Sequence, residues 1–167
     1  MDKYNDTEFN LIIQPILNNK EFLKIKDIKH HTTTRLDHSL RVAYHTYKIT
    51  KFLRLDYKEA TTAALLHDFF IDEVKDDNIV KRLRKHPGCA VKNALSHFDL
   101  SDKQVDIIKT HMFPITFTPP KYLESWIVNL VDDASAVYEE GYVISAEVKA
   151  AATFMFVLLI SFLDIKL

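Results

Sequence analysis

The sequence predicts an all-α fold, and three observations support this prediction. The chain has 2 glycines and 5 prolines in 167 residues, too few turn-forming residues for a sandwich or barrel of many short strands. Apolar residues recur in most segments at the three- and four-residue spacing of amphipathic helices. No stretch alternates apolar and polar residues cleanly enough to indicate a strand. We therefore predict one helical bundle formed by residues 1–167.

Composition and charge indicate a soluble, cytoplasmic protein. Hydrophobic residues make up 47% and charged residues 27% of the chain, as in globular domains. The net charge of −1 gives no sign of a surface for nucleic acid or anionic membranes. The single cysteine, Cys89, excludes an intrachain disulfide and fits a reducing compartment. The polar N-terminus does not resemble a signal peptide, and the longest apolar run, residues 154–160, is far short of the ~20 residues of a membrane span.

The first helices are predicted in the N-terminal third of the chain. Residues 9–17 have the apolar spacing of a short helix that is broken near Pro15. After a polar stretch, Thr34 or Asp37 can cap the first long helix, which we expect to continue to about residue 55. The residues that recur at helical spacing along this helix are Leu40, Ala43, Tyr44, Tyr47 and Phe52.

A buried helix is predicted next. Asp56 can cap it, and its core, residues 61–70 (TTAALLHDFF), is apolar on nearly every side. A buried carboxylate needs a partner or a metal ion, so Asp68 within this run requires an explanation. The charged residues 72–85 are expected to form a loop and a short surface helix.

Two further helices and a loop follow. We expect Pro87 at the first position of one helix, and Ser101 and Asp102 at the cap of the next, which ends before Pro114. Residues 113–121 contain three prolines and are the clearest loop in the chain. The inward-facing residues predicted for the helix that begins at Pro87 are Ala90, Val91, Ala94, Leu95 and Phe98.

The last predicted helices occupy residues 121–140 and about 145–163. Gly141 is expected to end the first of them. The second is strongly apolar in its C-terminal half, and we interpret it either as a core helix or as a homodimer contact. The apolar face predicted for residues 121–140 consists of Leu123, Trp126, Ile127, Leu130, Val131, Ala134 and Val137.

Six residues with metal-binding side chains lie within or at the ends of these predicted helices. They are separated by a few tens of residues, as expected for a site built between facing helices of a bundle, although His67 and Asp68 are adjacent. Imidazole and carboxylate groups together suit a divalent Zn, Mn or Fe ion. The six residues are His38, His67, Asp68, His86, His111 and Asp132.

This order of histidines and aspartates resembles the HD-domain superfamily of metal-dependent phosphohydrolases. The resemblance covers roughly residues 35–140 and rests on TRLDHSLRVA, ALLHDFF, KHPGCAVKNAL, IIKTHM and IVNLVDDAS. It implies a single HD-type helical bundle in which His38, His67, Asp68 and Asp132 bind a first metal ion. The alignment of VDD with the family motif selects Asp132 instead of its neighbour, a choice that helical periodicity leaves open.

In binuclear members of that family, residues placed like His86 and His111 bind a second ion, and a carboxylate at Asp68 bridges the two. The resemblance therefore implies one or two divalent ions and a catalytic role for Asp68. Two ions ~3.5–4 Å apart can clamp a phosphate and activate water. Arg35 and Arg41 flank His38 and can hold substrate phosphate through bidentate bonds, or form a solvated face or structural salt bridge.

At two positions this chain differs from residues that are typical of branches of the HD-domain superfamily. Many relatives carry a lysine four residues after the HD histidine, where this chain has Ile71. The cyclic-dinucleotide branch carries a second histidine where this chain has Met112, which argues against a cyclic di-GMP phosphodiesterase. The chain is more similar to small stand-alone HD hydrolases, including the diadenosine tetraphosphate hydrolase group.

The function that these observations favour is hydrolysis of a phosphate ester or anhydride of a nucleotide or related small molecule by metal-activated water. The expected partner is a small phosphate-containing substrate, with no nucleic acid or membrane. Because Ile71 replaces the lysine, a helical sensor module that binds metal and nucleotide without turnover is an alternative. A third alternative is a purely structural helical protein whose metal site is vestigial.

Overall fold

The computed structural model describes residues 4–30, 33–71 and 78–140. These residues are mostly helical, which confirms the predicted all-α fold class. The helices are α1 (Thr7–Leu17), a 3₁₀ helix (Phe22–Asp27), α2 (Arg35–Phe52), α3 (Tyr57–Leu66), α4 (Ile79–His97), α5 (Asp102–Thr110) and α6 (Leu123–Glu140). Two short strands, β1 (Lys29–His30) and β2 (Thr33–Thr34), pair antiparallel, although the sequence predicted no strand. The predicted helix at 145–163 lies outside the described residues.

The predicted caps start three helices. The side chain of Thr34 accepts a hydrogen bond from the Asp37 amide at 3.1 Å, which identifies Thr34 as the cap of α2. Asp56 caps α3 in the same way. Ser101 caps α5 and forms a reciprocal capping box with Gln104. These polar side chains fix where the helices that carry the site begin.

Two helices continue through prolines that were expected to interrupt or start them. Helix α1 is unbroken at Pro15 and ends at Leu17. Helix α4 begins at Ile79, so Pro87 lies in its interior, and the predicted start at Pro87 is wrong. Proline removes only one backbone hydrogen bond, and the neighbouring turns retain theirs. Asn78 sets the start of α4 instead, because its side chain accepts hydrogen bonds from the amides of Val80 and Lys81 in the first turn.

Helices α2 and α3 together form the centre of the packing. Helix α2 contacts α3 and α6, while α5 packs against α3, α4 and α6, and α1 packs against α3. Helix α2 ends at Phe52, which is 85% exposed although it recurs at helical spacing with the other apolar residues of this helix. None of the helices in the described ranges is long and apolar enough to cross a membrane. The largest fully buried apolar side chains include Phe9, Phe22, Tyr47, Leu65, Leu66 and Phe69.

The buried face of α6 is more polar than predicted. Ala134, expected on the inner face, is exposed, whereas Asp132 is buried. Helix α6 turns this polar face toward α2 and α5, which carry the other polar groups of the site. The buried residues along this face are Ser125, Val128, Asn129, Asp132, Ser135 and Glu139.

Glu8 ties α1 to the two following helices. Its carboxylate accepts hydrogen bonds from Tyr57 at 2.7 Å and from Tyr47 at 2.9 Å, and it pairs with Lys51. The hydrogen bonds from Lys51 and the two tyrosines lower the pKa of Glu8 from 4.5 to about 2. The ionised carboxylate therefore stabilises the contact between α1, α2 and α3.

We expect Glu8→Gln to lower the stability of the protein in a pH-dependent way. Because the pKa of Glu8 is lowered in the folded state, its contribution is fully present above 4.5 and is lost as the pH falls from 4.5 toward 2. Urea unfolding at a series of pH values should show the variant less stable at pH 7 and the two proteins converging in acid. Asp99→Asn, at an exposed carboxylate without an ion pair to the described residues, is the control. A difference that is independent of pH would contradict this prediction.

Candidate metal centre

Two histidines end helices in the same way. His67 follows α3 and His111 follows α5, each at the C-cap with right-handed helical backbone angles. Nδ1 of each ring lies 2.7 Å from the carbonyl oxygen three residues earlier, that of Ala64 or Ile108. A carbonyl only accepts hydrogen bonds, so Nδ1 carries the hydrogen, and Nε2 of the neutral ring keeps its lone pair. Each helix end thus satisfies a terminal carbonyl and directs a potential metal-binding nitrogen away from the helix.

His38, His67 and Asp132 form the first group of converging side chains. His38 lies in the first turns of α2 and Asp132 on α6. One oxygen of Asp132, Oδ1, lies 2.8 Å from Nε2 of His38 and 3.3 Å from Nε2 of His67. All three side chains are buried. A single carboxylate oxygen is therefore shared by imidazoles from two other parts of the bundle.

Asp68, His86 and His111 form the second group. The Nε2 atoms of His86 and His111 lie 2.8 Å apart. Oδ1 of Asp68 lies 3.6 Å from the first of these nitrogens and 3.9 Å from the second. Oδ2 of Asp68 lies 3.9 Å from Nε2 of His67, which belongs to the first group. Asp68 therefore directs one carboxylate oxygen toward each group.

The donor atoms fit a divalent cation. Nδ1 of His38 lies 3.1 Å from both carboxylate oxygens of Glu139 and donates to them, so the neutral ring presents the lone pair of Nε2 to Asp132. Nε2 of His67 is buried and makes no hydrogen bond with the described residues. Nitrogen lone pairs and carboxylate oxygens repel each other unless a proton or a metal ion lies between them. Among the described residues, three overlapping sets each have ligand atoms within 4.8 Å of one another: His38, His67 and Asp68; His67, His111 and Asp132; and Asp68, His86 and His111.

The two groups differ in their electrostatics. Burial alone would lower the pKa of His67, but the carboxylates of Asp132 and Asp68 outweigh burial and raise it. Burial would raise the pKa of Asp132, but the His67 imidazole helps to hold it well below its usual range. In the second group, burial lowers the pKa of His86, and burial with the nearby imidazoles lowers the pKa of His111 to about 3. The first group attracts positive charge, and the second keeps its imidazoles neutral, as metal ligands must be.

Glu139 supports His38, although the sequence analysis did not identify it. Its buried carboxylate accepts a hydrogen bond from Nδ1 of His38 and forms an ion pair with Arg41. This contact fixes the ring orientation and the tautomer of His38. Glu139 lies two helical turns after Asp132 on the same face of α6, and that spacing is the signal that could have identified it.

Asn129 is a second residue that the sequence analysis missed. Its side-chain amide donates to the backbone carbonyls of His111 and Phe113, the latter at 2.8 Å. Asn129 lies one turn before Asp132 on α6, so it connects the end of α5 to the helix that carries the shared carboxylate. The relative positions of His111 and Asp132 are thereby fixed.

Both arginines that were predicted to bind substrate phosphate make contacts with other residues of the protein. Nη1 of Arg35 donates to the carbonyl oxygen of Phe70 at 2.5 Å, and its guanidinium lies 3.7 Å from the centroid of the Phe70 ring. Arg41 pairs with Glu139 and lies over the Tyr138 ring. These contacts place both arginines beside ligand-bearing segments. Substrate binding by either residue stays a prediction.

The structure brings all six predicted ligands together and distinguishes between the two adjacent aspartates of α6. Asp132 is buried in the first group, whereas Asp133 is exposed. Ile71, at the position where the sequence analysis expected a lysine in many relatives, is 36% exposed. It supplies no charge to the site.

Comparison with known proteins agrees with this geometry. The pattern of the family described as HD domain matches residues 35–137, more than half of the chain, and this range includes all six predicted ligands. Members of this family are metal-dependent phosphohydrolases. Neither the curated proteins nor the solved structures include a match to the chain. The matched range and the convergence of histidines and aspartates within it lead to one conclusion: the chain belongs to the HD-domain family.

Proposed function

We propose that this protein is a metal-dependent phosphohydrolase that cleaves a phosphate ester or anhydride of a nucleotide or a related small molecule. The observation that carries the proposal is the position of Asp68. Its two oxygens face two different groups of buried histidines, at 3.9 Å from Nε2 of His67 and 3.6 Å from Nε2 of His86. A carboxylate shared in this way supports two adjacent cations, an arrangement suited to phosphate substrates.

The ligands divide into two sets around Asp68. Bound divalent ions would supply positive charge for the phosphate oxygens and lower the pKa of a water molecule. His38, His67 and Asp132 would hold one ion, and His86 and His111 the other. Burial of these side chains excludes bulk water, so charges within the site interact more strongly than they would in solution. Glu139 and Asn129 hold His38 and His111 in position.

The proposal is tested with protein loaded with Mn, Fe or Zn and incubated with nucleoside phosphates, dinucleoside polyphosphates and an aryl phosphate. We expect phosphate release that requires metal and is lost in His67→Ala and Asp68→Ala. His97→Ala, at an exposed histidine at the end of α4, is the matched control and should retain activity. Equal activity in the two site variants and the wild type would exclude this site as the source of hydrolysis.

A non-catalytic sensor is the second candidate function. The observation that favours it is Ile71, because this side chain cannot serve as the acid or phosphate contact that a lysine could supply. A sensor would bind metal in stoichiometric amounts and bind nucleotide tightly, yet release no phosphate. The same experiment separates the two functions, since only the enzyme forms product.

Three finer features belong to this proposal. Similarity to the diadenosine tetraphosphate hydrolase group makes dinucleoside polyphosphates the first substrates to test. A cytoplasmic location, and a homodimer contact through residues 145–163 if these do not form a core helix, are expectations from the sequence alone. Each stays a prediction.

A further inference from the structure

Arg84 and Phe117 form a contact outside the groups of predicted ligands. Arg84 lies on the exposed side of α4, and Phe117 lies in the loop between α5 and α6. The guanidinium of Arg84 lies over the Phe117 ring, with its central carbon 4.4 Å from the ring centroid. Nε of Arg84 donates to the carbonyl oxygen of Ile115 at 2.9 Å. The guanidinium is therefore held by the ring and by the backbone of the same loop.

The conformation and exposure of Phe117 are unusual for phenylalanine. Its φ angle is 57°, in the left-handed region that is unfavourable for bulky side chains. The residue is 72% exposed, so burial of the ring does not compensate for this conformation. Strained backbone of this kind concentrates at binding and catalytic sites. The position favours glycine on structural grounds, yet it carries an exposed aromatic ring.

The pair also leaves groups available for a ligand. Arg84 is exposed, and apart from its bond to Ile115 it makes no hydrogen bond or ion pair with the rest of the described chain. Its terminal NH₂ groups can therefore bind an anion. A planar guanidinium beside an exposed aromatic ring suits a ligand that carries both a phosphate and a planar base.

The pair lies on two segments that also carry predicted ligands. Arg84 precedes His86 by two residues on α4, and the loop that carries Phe117 begins at His111. The His86 side chain is 13% exposed, compared with 10% for Asp132 and 4% or less for the other four predicted ligands. The most exposed of the six predicted ligands is therefore on α4, the helix that carries Arg84.

We propose that Arg84 and Phe117 form a recognition site for a nucleotide whose reacting phosphate lies at the metal centre. The free face of the Phe117 ring stacks on the base, and the terminal NH₂ groups of Arg84 bind a phosphate that is not cleaved. The inference rests on the proposed function, because it assumes that the substrate of the metal centre is a nucleotide. It assigns the specificity for base and phosphate to two residues that do not bind metal.

The test compares the four ribonucleoside diphosphates with pyrophosphate, which lacks a base, on metal-loaded protein. KM is measured if the wild type turns these compounds over, and Kd by calorimetry if it does not. Phe117→Gly removes the ring and suits the backbone angle, so the variant should fold. We expect it to weaken nucleotide binding about tenfold and to leave pyrophosphate unchanged. Arg84→Gln should weaken both classes of ligand.

The controls are Phe52→Ala, at another exposed phenylalanine, and Lys81→Gln, at an exposed cation on α4; both should match the wild type. The inference fails if Phe117→Gly changes pyrophosphate and nucleotides equally, or if no nucleoside diphosphate binds more tightly than pyrophosphate. Phosphate release by the wild type in that case would leave the proposed function intact. Conversely, selective loss of nucleotide affinity in Phe117→Gly, without hydrolysis by the wild type, would support the recognition site and reject the enzyme.

Discussion

Asp132→Asn is expected to remove metal binding and phosphohydrolase activity, whereas Asp133→Asn retains both. Oδ1 of Asp132 is the oxygen shared by Nε2 of His38 and of His67, so an amide there would remove the negative charge common to both imidazoles. Metal affinity and activity should fall by more than about 100-fold. Removal of a group that only supports a metal ligand already costs up to that factor. The measurement is metal content by elemental analysis together with phosphate release.

Asp133→Asn makes this comparison unusually direct. The two substitutions replace a carboxyl group by an amide at adjacent positions of α6, but Asp132 is buried among the ligands and Asp133 is exposed. A general effect of replacing a carboxyl group on this helix would appear in both variants. Loss of metal in the Asp133 variant alone would show that the shared carboxylate has been wrongly identified.

The second large effect is expected for Glu139→Gln. Glutamine retains the size of the side chain but removes the charge that accepts the His38 Nδ1 hydrogen and pairs with Arg41. Loss of a carboxylate that orients a metal-binding histidine lowers metal affinity or activity by roughly 10- to 100-fold. Titration of the metal-free protein with Mn or Zn, in competition with a chelator, should detect the change. Activity should recover in part at saturating metal, because the ligands themselves remain.

Glu124→Gln is the matched control for this variant. Glu124 is also a buried glutamate of α6, with 6% exposure compared with 8% for Glu139, and it pairs with Lys103 at 3.0 Å. Both substitutions therefore remove a buried, paired carboxylate from the same helix. If Glu124→Gln weakened metal binding as much as Glu139→Gln, the effect would be one of folding, and the supporting role of Glu139 would be refuted.

Helical periodicity identified the fold class but misplaced several boundaries. The polar caps Thr34, Asp56 and Ser101 could be identified because a side chain acting on its own helix end is a local interaction. The start of α4 could not, because Pro87 is a typical first residue of a helix and only the Asn78 cap shows that the helix begins earlier. At such positions two local signals indicate different starts for one helix, and only the folded helix shows which of them is correct.

The buried face of α6 could not be predicted from hydrophobic spacing for a related reason. Asp132, Ser135 and Glu139 are polar, and a polar stripe ordinarily faces solvent. Here the stripe faces α2 and α5, where His38 and His111 provide partners for it. Burial of such a face is favourable only when its partners come from other helices, which a single helix cannot show.

The sequence by itself determined the helical class, three of the helix caps and, through the order of its histidines and aspartates, the six candidate ligands. These features depend on residue type and on spacing within short segments, so they can be identified before the chain folds. Only the tertiary structure decided that Asp68 faces both groups of histidines, that Glu139 supports His38, and that Arg84 lies over Phe117. Those contacts join residues from different elements, and distances of a few ångströms between such residues are set by the packing of the helices.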